Sequence, residues 1–105
     1  MATFVSLSHY TDENGDIVRD MPTPAKRISQ FFGSIVAFMT QNNLCNNNKE
    51  YRTFTKCRKR PSHKPCPGKI SALYDEDGES FFWICPECGD NGLISDWQGT
   101  VWDYS

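Results

Sequence analysis

The segment Cys85-Pro86-Glu87-Cys88-Gly89 carries the strongest chemical signal in the chain. Two thiolates separated by two residues reach one ion from a single tight turn. A glycine after the second permits a positive φ, which turns backbone amides toward the sulfurs. One such pair needs a second. Cys57 and Cys66 lie upstream with eight residues between them, and eighteen separate Cys66 from Cys85. The first interval is wider than the common spacing of about two to four residues. His63 is therefore an alternative to Cys57, because His63-x-x-Cys66 has short ligand spacing. Arg60-Pro61-Ser62 and Lys64-Pro65 interrupt regular structure in this loop. Cys45 has no other ligand type beside it and reads as a spare thiol.

Four thiolates around Zn²⁺ make a closed, structural site, with no position left for water or substrate. Such an ion supplies an apparent ~10–16 kcal/mol in small modules, against ~5–15 kcal/mol for the stability of a whole domain. The second half of the chain is therefore expected to depend on its metal. Other uses of a C-x-x-C pair fit less well. A thioredoxin-like site needs a helix after the pair, and Gly89-Asp90-Asn91-Gly92 is turn sequence. The zinc deaminase signature needs H-x-E ahead of P-C-x-x-C. Neither His9 nor His63 meets it, and Ile84 precedes Cys85. No paired carboxylates, Ser-His-Asp set or phosphate-cradling glycine loop names a catalytic residue, so no enzyme is expected.

Positioning two cysteine pairs requires a small sheet. Lys69 to Tyr74 and Ser80 to Ile84 are apolar and aromatic runs separated by Asp75-Glu76-Asp77-Gly78, which predicts an antiparallel hairpin. After the Asn91-Gly92 turn, Leu93-Ile94-Ser95 returns as a third strand. Upstream, residues 23–42 read as an amphipathic helix. Thr23 is the expected N-cap, Pro24 suits the first turn, and Ile28, Phe31, Phe32, Ile35 and Met39 form an apolar stripe. The stripe is expected to pack on the rest of the chain rather than to await a partner. Residues 1–22 suggest a short strand at Phe4 to Leu7 and a loose hairpin about Glu13-Asn14-Gly15-Asp16. Asn-rich residues 41–50 should end the helix and link two parts, 1–50 and 51–105.

The chain has 105 residues and a formal net charge of −2, with 38% hydrophobic and 23% charged residues, which indicates neither disorder nor a membrane protein. Its longest mostly apolar stretch, Phe31 to Met39, is far short of the ~20 residues needed to span a bilayer. The first residues have no basic start and no long apolar run, so a cytoplasmic setting with reduced thiols is expected. Charge is segregated. Eight of the basic residues fall between Lys49 and Lys69, and from Ser71 onward there are eight acids and no Lys or Arg. Arg58, Lys59, Arg60 and Lys64, in the basic loop 56–69, are candidate nucleic-acid contacts; equally, they balance the thiolates and the acidic tail. Trp83, Trp97 and Trp102 are candidates for base stacking, but are expected to cover the small sheet instead.

The stretches Cys57-Arg58-Lys59-Arg60-Pro61-Ser62-His63-Lys64-Pro65-Cys66-Pro67-Gly68 and Trp83-Ile84-Cys85-Pro86-Glu87-Cys88-Gly89-Asp90-Asn91-Gly92-Leu93-Ile94, with the ending Trp97-Gln98-Gly99-Thr100-Val101-Trp102-Asp103, resemble a group of small uncharacterised bacterial zinc-ribbon-like proteins. The resemblance covers roughly residues 57–103, with a weaker echo in the helix. In that group the position matching His63 is often basic, which implies Cys57, Cys66, Cys85 and Cys88 as the ligands. It implies a fold and a metal but no activity. The expectation is an α+β protein: an amphipathic helix, then a zinc-ribbon-like three-stranded antiparallel module with structural Zn²⁺. Its task is expected to be non-catalytic, with a protein partner first and nucleic acid second; the third alternative is an enzyme with an open zinc site, in which one cysteine does not ligate and water completes the shell.

Overall fold

The computed structural model describes residues 3–45, 49–60 and 63–105. The middle of the Asn-rich linker and Pro61-Ser62 of the cysteine loop lie outside the described residues. The elements in chain order are β1 (Thr3–Ser6), a 3-10 turn (Leu7–Tyr10), α1 (Thr23–Gln41), β2 (Tyr51–Lys56), β3 (Lys69–Asp75), β4 (Ser80–Ile84) and β5 (Asn91–Ser95). The protein is α+β, with one five-stranded sheet in the order β1-β5-β4-β3-β2.

The three expected strands are the three central ones, β3, β4 and β5, joined as an antiparallel meander. The expected three-stranded module is corrected by two flanking strands. β2 pairs antiparallel with β3. Its polar sequence, Tyr-Arg-Thr-Phe-Thr-Lys, hides it among the basic residues, although its β-branched and aromatic residues suit a pleated strand. β1 pairs parallel with β5, Thr3 opposite Gly92. Residues so far apart in sequence carry no local pairing signal. The turn at 13–16 closes only one bridge, Thr11 to Ile17.

Helix α1 lies across one face of the sheet. Phe32, Ile35, Val36 and Met39 are buried with Leu7, Ile70, Phe81, Trp83, Ile94 and Trp97 in a single core. The stripe is therefore core from Phe32 to Met39, with Phe31 packed at its margin, while Ile28 at its start is exposed. Thr23 is not the cap: the Lys26 N–H donates to the Pro22 carbonyl at 2.9 Å, so Pro22 is the N-cap and makes no side-chain bond. Thr23 is already helical, and its backbone no longer has the extended conformation that a capping hydroxyl needs.

The asparagines end the helix by a defined motif. Asn43 is left-handed at φ +57. Its N–H bonds the Thr40 carbonyl, and the Leu44 N–H bonds the Met39 carbonyl at 2.9 Å, the two bonds of a Schellman cap. Leu44 then packs against the core.

Candidate metal centre

The strands converge their cysteines at one end of the sheet. β2 runs into Cys57, β4 into Cys85, and Cys66 lies just ahead of β3. The long Cys57–Cys66 interval has a simple structural basis. The Cys57 N–H donates to the Gly68 carbonyl and the Cys66 N–H to the Lys59 carbonyl, both at 2.9 Å. These bonds prolong the β2–β3 ladder past its last strand residues. The chain leaves this ladder after Lys59 and rejoins it at Cys66, and the two thiols face each other across that neck.

Each ligand turn aims amides at sulfur. The Lys59 N–H approaches Cys57 Sγ at 3.4 Å. The Gly68 amide bonds Cys66, and the Glu87 and Cys88 amides bond Cys85. At Cys57, Cys66 and Cys85 alike, the donor includes the residue two positions on. Gly89 closes the last turn at φ +81, and its N–H donates to the Cys85 carbonyl at 2.9 Å. The Asp90 carbonyl accepts from the Cys85 N–H at 2.7 Å. The segment after Cys88 is thus a turn leading into β5, with no helix behind the pair.

The four Sγ atoms of Cys57, Cys66, Cys85 and Cys88 lie within 4.8 Å of one another. Cys57 and Cys88 are 3.6 Å apart, as are Cys66 and Cys85. A disulfide is about 2.05 Å, so these are free thiols. A tetrahedron with metal–sulfur bonds of about 2.3 Å has edges of about 3.8 Å, and the cluster matches that size. Gly68 is part of the cradle: a Cβ there would strike Cys85 Sγ. Neither His63 nor Cys45 belongs to the cluster.

The electrostatics also ask for a cation. Cys66 and Cys85 are buried, Cys57 is half-buried and Cys88 is exposed. Burial pushes the Cys57 thiol up to about 12, against the pull of the Lys59 amide and with a further push from the neighbouring thiols. At Cys66 the Gly68 amide lowers the pKa, but burial and the Cys85 thiol together leave it raised. Cys85 is also pushed up by burial, yet the amides of Cys88 and Glu87 and the other thiols bring it below the ordinary value. Alone, four adjacent thiols resist ionising together; a divalent ion removes that conflict and takes the thiolates as ligands.

Arg58, beside Cys57, has a role that sequence reasoning missed. Its Nε donates to Asp90 Oδ2 at 3.0 Å, and its Nη2 reaches Asp90 Oδ1 at 3.4 Å and Thr3 Oγ1 at 3.3 Å. Its guanidinium stands over Phe31, Phe32 and Trp83 at 5.5–5.6 Å. Such stacking and forked bonding are specific to arginine. One side chain thereby ties both cysteine turns to the helix and to β1. Asp90, two residues after Cys88, was the available signal. Lys59, Arg60 and Lys64 are exposed, and Arg60 Nη2 donates to the His63 carbonyl at 3.4 Å.

The tryptophans are packing residues. Trp83 is 2% exposed and Trp97 5%. Trp97 packs on Phe81 and Tyr74 and donates to the Glu79 carbonyl at 2.9 Å. Trp102 lies so close on α1 that a Cβ at Gly33 would enter its ring.

Fold and site together define an α+β protein with a four-cysteine cluster suited to a metal ion. Comparison of the chain with protein-family models, curated proteins and solved structures finds no match in any of the three. No helix among the described residues is long and apolar enough to cross a membrane.

Proposed function

We propose that the protein is a small zinc protein whose ion is structural and whose folded surface serves protein–protein interaction, without catalysis. The observation behind this reading is the closed set of four sulfurs from Cys57, Cys66, Cys85 and Cys88. Four sulfurs suit zinc or iron and leave no coordination position for a substrate. A zinc tetrathiolate carries a net charge of −2, which the exposed Lys59, Arg60 and Lys64 offset. Likeness to the zinc-ribbon-like group and residence in the reducing cytoplasm belong to the same proposal.

The test is elemental analysis of untagged protein purified without added metal, for wild type and Cys57→Ser. One zinc per chain in wild type, lost with the folded signal in the variant, is the expected result. Iron would change the metal. Full retention in the variant would leave three protein ligands and reopen the enzymatic reading.

A second reading, nucleic-acid binding, draws on the exposed Lys59, Arg60 and Lys64. It has lost Arg58 to Asp90 and the three tryptophans to packing. It requires oligonucleotide binding that weakens steeply with salt and with removal of those three basic side chains.

A further inference from the structure

The strand β2 is the last in the sheet, so one edge of its backbone has no strand beside it among the described residues. Edge strands offer unpaired N–H and C=O groups to any extended chain that fits. This edge borders an open groove of about 590 Å³ between β2 and α1, with Ala37, Phe38 and Gln41 on one wall and Phe54 and Lys56 on the other. That volume lies within the ~300–1,000 Å³ of ligand-sized sites. Its floor is aromatic. Phe38 and Phe54 meet edge to face at 5.4 Å, yet Phe54 remains 80% exposed.

Apart from Glu50 just ahead of β2, the charge along this edge is basic. Lys56 stands directly opposite Lys69 in the β2–β3 register, an arrangement that repels. Lys69 also sits over the Phe54 ring at 5.9 Å. Arg52, Lys56 and Lys69 are all exposed, and none has an acidic partner among the described residues. Basic residues on an edge strand repel a second copy of the same strand. They do the opposite to an acidic one.

We propose that the β2 edge is a docking strand for an extended acidic peptide, which adds as a sixth strand and lays an apolar side chain against the Phe38–Phe54 pair. Main-chain bonds to the edge would supply affinity. The groove and the Arg52, Lys56 and Lys69 charges would supply selectivity. The other apolar surface is the open sheet face, where Phe4, Leu93, Phe82 and Leu73 fall in one cross-strand row. Nothing comparable selects an occupant there. The proposal rests on the reading of the chain as an interaction protein, but not on which ion the cysteines hold.

The experiment uses the full metal-loaded chain, ¹⁵N-labelled, and two end-blocked heptapeptides. In one, Asp or Glu alternates with Phe or Leu; in the other, Lys replaces each acid. The expected result is that the acidic peptide shifts the amide signals of Thr53 to Lys56 and of Phe38. The double variant Lys56→Glu, Lys69→Glu should weaken it at least tenfold and reverse the preference to the Lys peptide. Phe54→Ala, which removes an exposed ring and leaves the core intact, should weaken both.

The inference is overturned if the acidic peptide causes no shifts at millimolar concentration, if both peptides bind wild type equally, or if the double variant binds as wild type does. It is also overturned if the shifts map to Phe4, Leu73, Phe82 and Leu93, or if the free chain already self-associates through β2. Displacement by a single-stranded oligonucleotide that shifts the same amides more strongly would assign the edge to nucleic acid instead. Metal content is measured on every sample. Metal-loaded, folded protein without the shifts sinks only this inference, whereas absence of metal sinks the proposed function.

Discussion

The two ends of the sheet are built on opposite principles. At one end, four sulfurs from three chain segments converge within 4.8 Å, positioned by amides and turns with little apolar mass of their own. At the other, the tail from Trp97 onward holds the fold by contact and hydrogen bonding. Trp97 fills the core beside Phe81, Trp102 lies on Gly33, and the Tyr104 N–H donates to Thr40 Oγ1 at 3.0 Å. The Val101 N–H donates to the Gly15 carbonyl at 2.8 Å, drawing in the turn before the helix. With the proposed ion bound, the first end would concentrate its energy in one centre; the second spreads it over many contacts. A concentrated constraint fails as a whole, and a distributed one fails in parts.

The largest expected effect follows from this. Removing the ion with a strong chelator, or replacing a buried ligand by Cys85→Ser, should abolish the cooperative thermal transition. The ~10–16 kcal/mol of a structural zinc matches or exceeds the ~5–15 kcal/mol by which a domain is stable. Circular dichroism melts with and without chelator check it. An unchanged midpoint would show that the core around Phe32 and Phe81 suffices without metal. Next in size is Trp97→Ala at the opposite end. Loss of a buried indole costs about 3–5 kcal/mol, read as a lower urea midpoint. Metal stoichiometry should stay at the wild-type value, because the cysteine turns do not touch this ring.

Smaller again is the effect of Arg58→Gln. The Asp90 side chain is 6% exposed and that of Arg58 28%, so the variant strands a nearly buried carboxylate. A loss of about 1.5–3 kcal/mol is expected, in keeping with a charged hydrogen-bond partner removed. Because Arg58 spans both cysteine turns, a competing chelator should also withdraw the metal faster. Destabilisation without faster withdrawal would make Arg58 a packing residue only.

The two ends also differ in how far they could be read from the sequence. The Cys85–Cys88 turn, the β3–β4 hairpin and the α1 stripe are local, and spacing alone exposes them. The Cys57–Cys66 interval is wider than the usual ligand spacing, which leaves His63 as an alternative to Cys57 on spacing alone. The logic of the interval lies in backbone bonds from the Cys57 N–H to the Gly68 carbonyl and from the Cys66 N–H to the Lys59 carbonyl, which spacing does not encode. The β1–β5 pairing is set by tertiary contact. So is the placement of Trp102 on Gly33, since a glycine inside a helix is locally only a weakness. Arg58 illustrates the same limit. Charge patterning grouped it with Lys59, Arg60 and Lys64, and only the approach of Asp90 and three aromatic rings separates it from them.

The smallest effect contrasts a thiol at the tail end with the four at the metal end. Cys45 is half-buried, and its pKa is raised to about 11, chiefly by burial and further by the Asp103 carboxylate. A thiol is neutral when protonated, so a raised folded pKa favours the protonated form. The associated stability is fully present below the unfolded value of about 8.5 and is lost as pH rises through about 11. Solvent screening keeps the loss small, because Cys45 is only partly covered. The rate of alkylation by iodoacetamide reads it directly. In folded, metal-loaded protein, Cys45 should react slowly at pH 8.5 and accelerate until about pH 11, while the unfolded chain reaches its plateau well before that. Asp103→Asn should move the folded profile toward lower pH by removing the carboxylate's contribution, leaving the larger effect of burial. The cluster cysteines, already ionised by the metal, should show no such profile. A Cys45 profile identical in folded and unfolded protein would mean that the tail does not close over this thiol, and the distributed end of the molecule would be looser than its contacts imply.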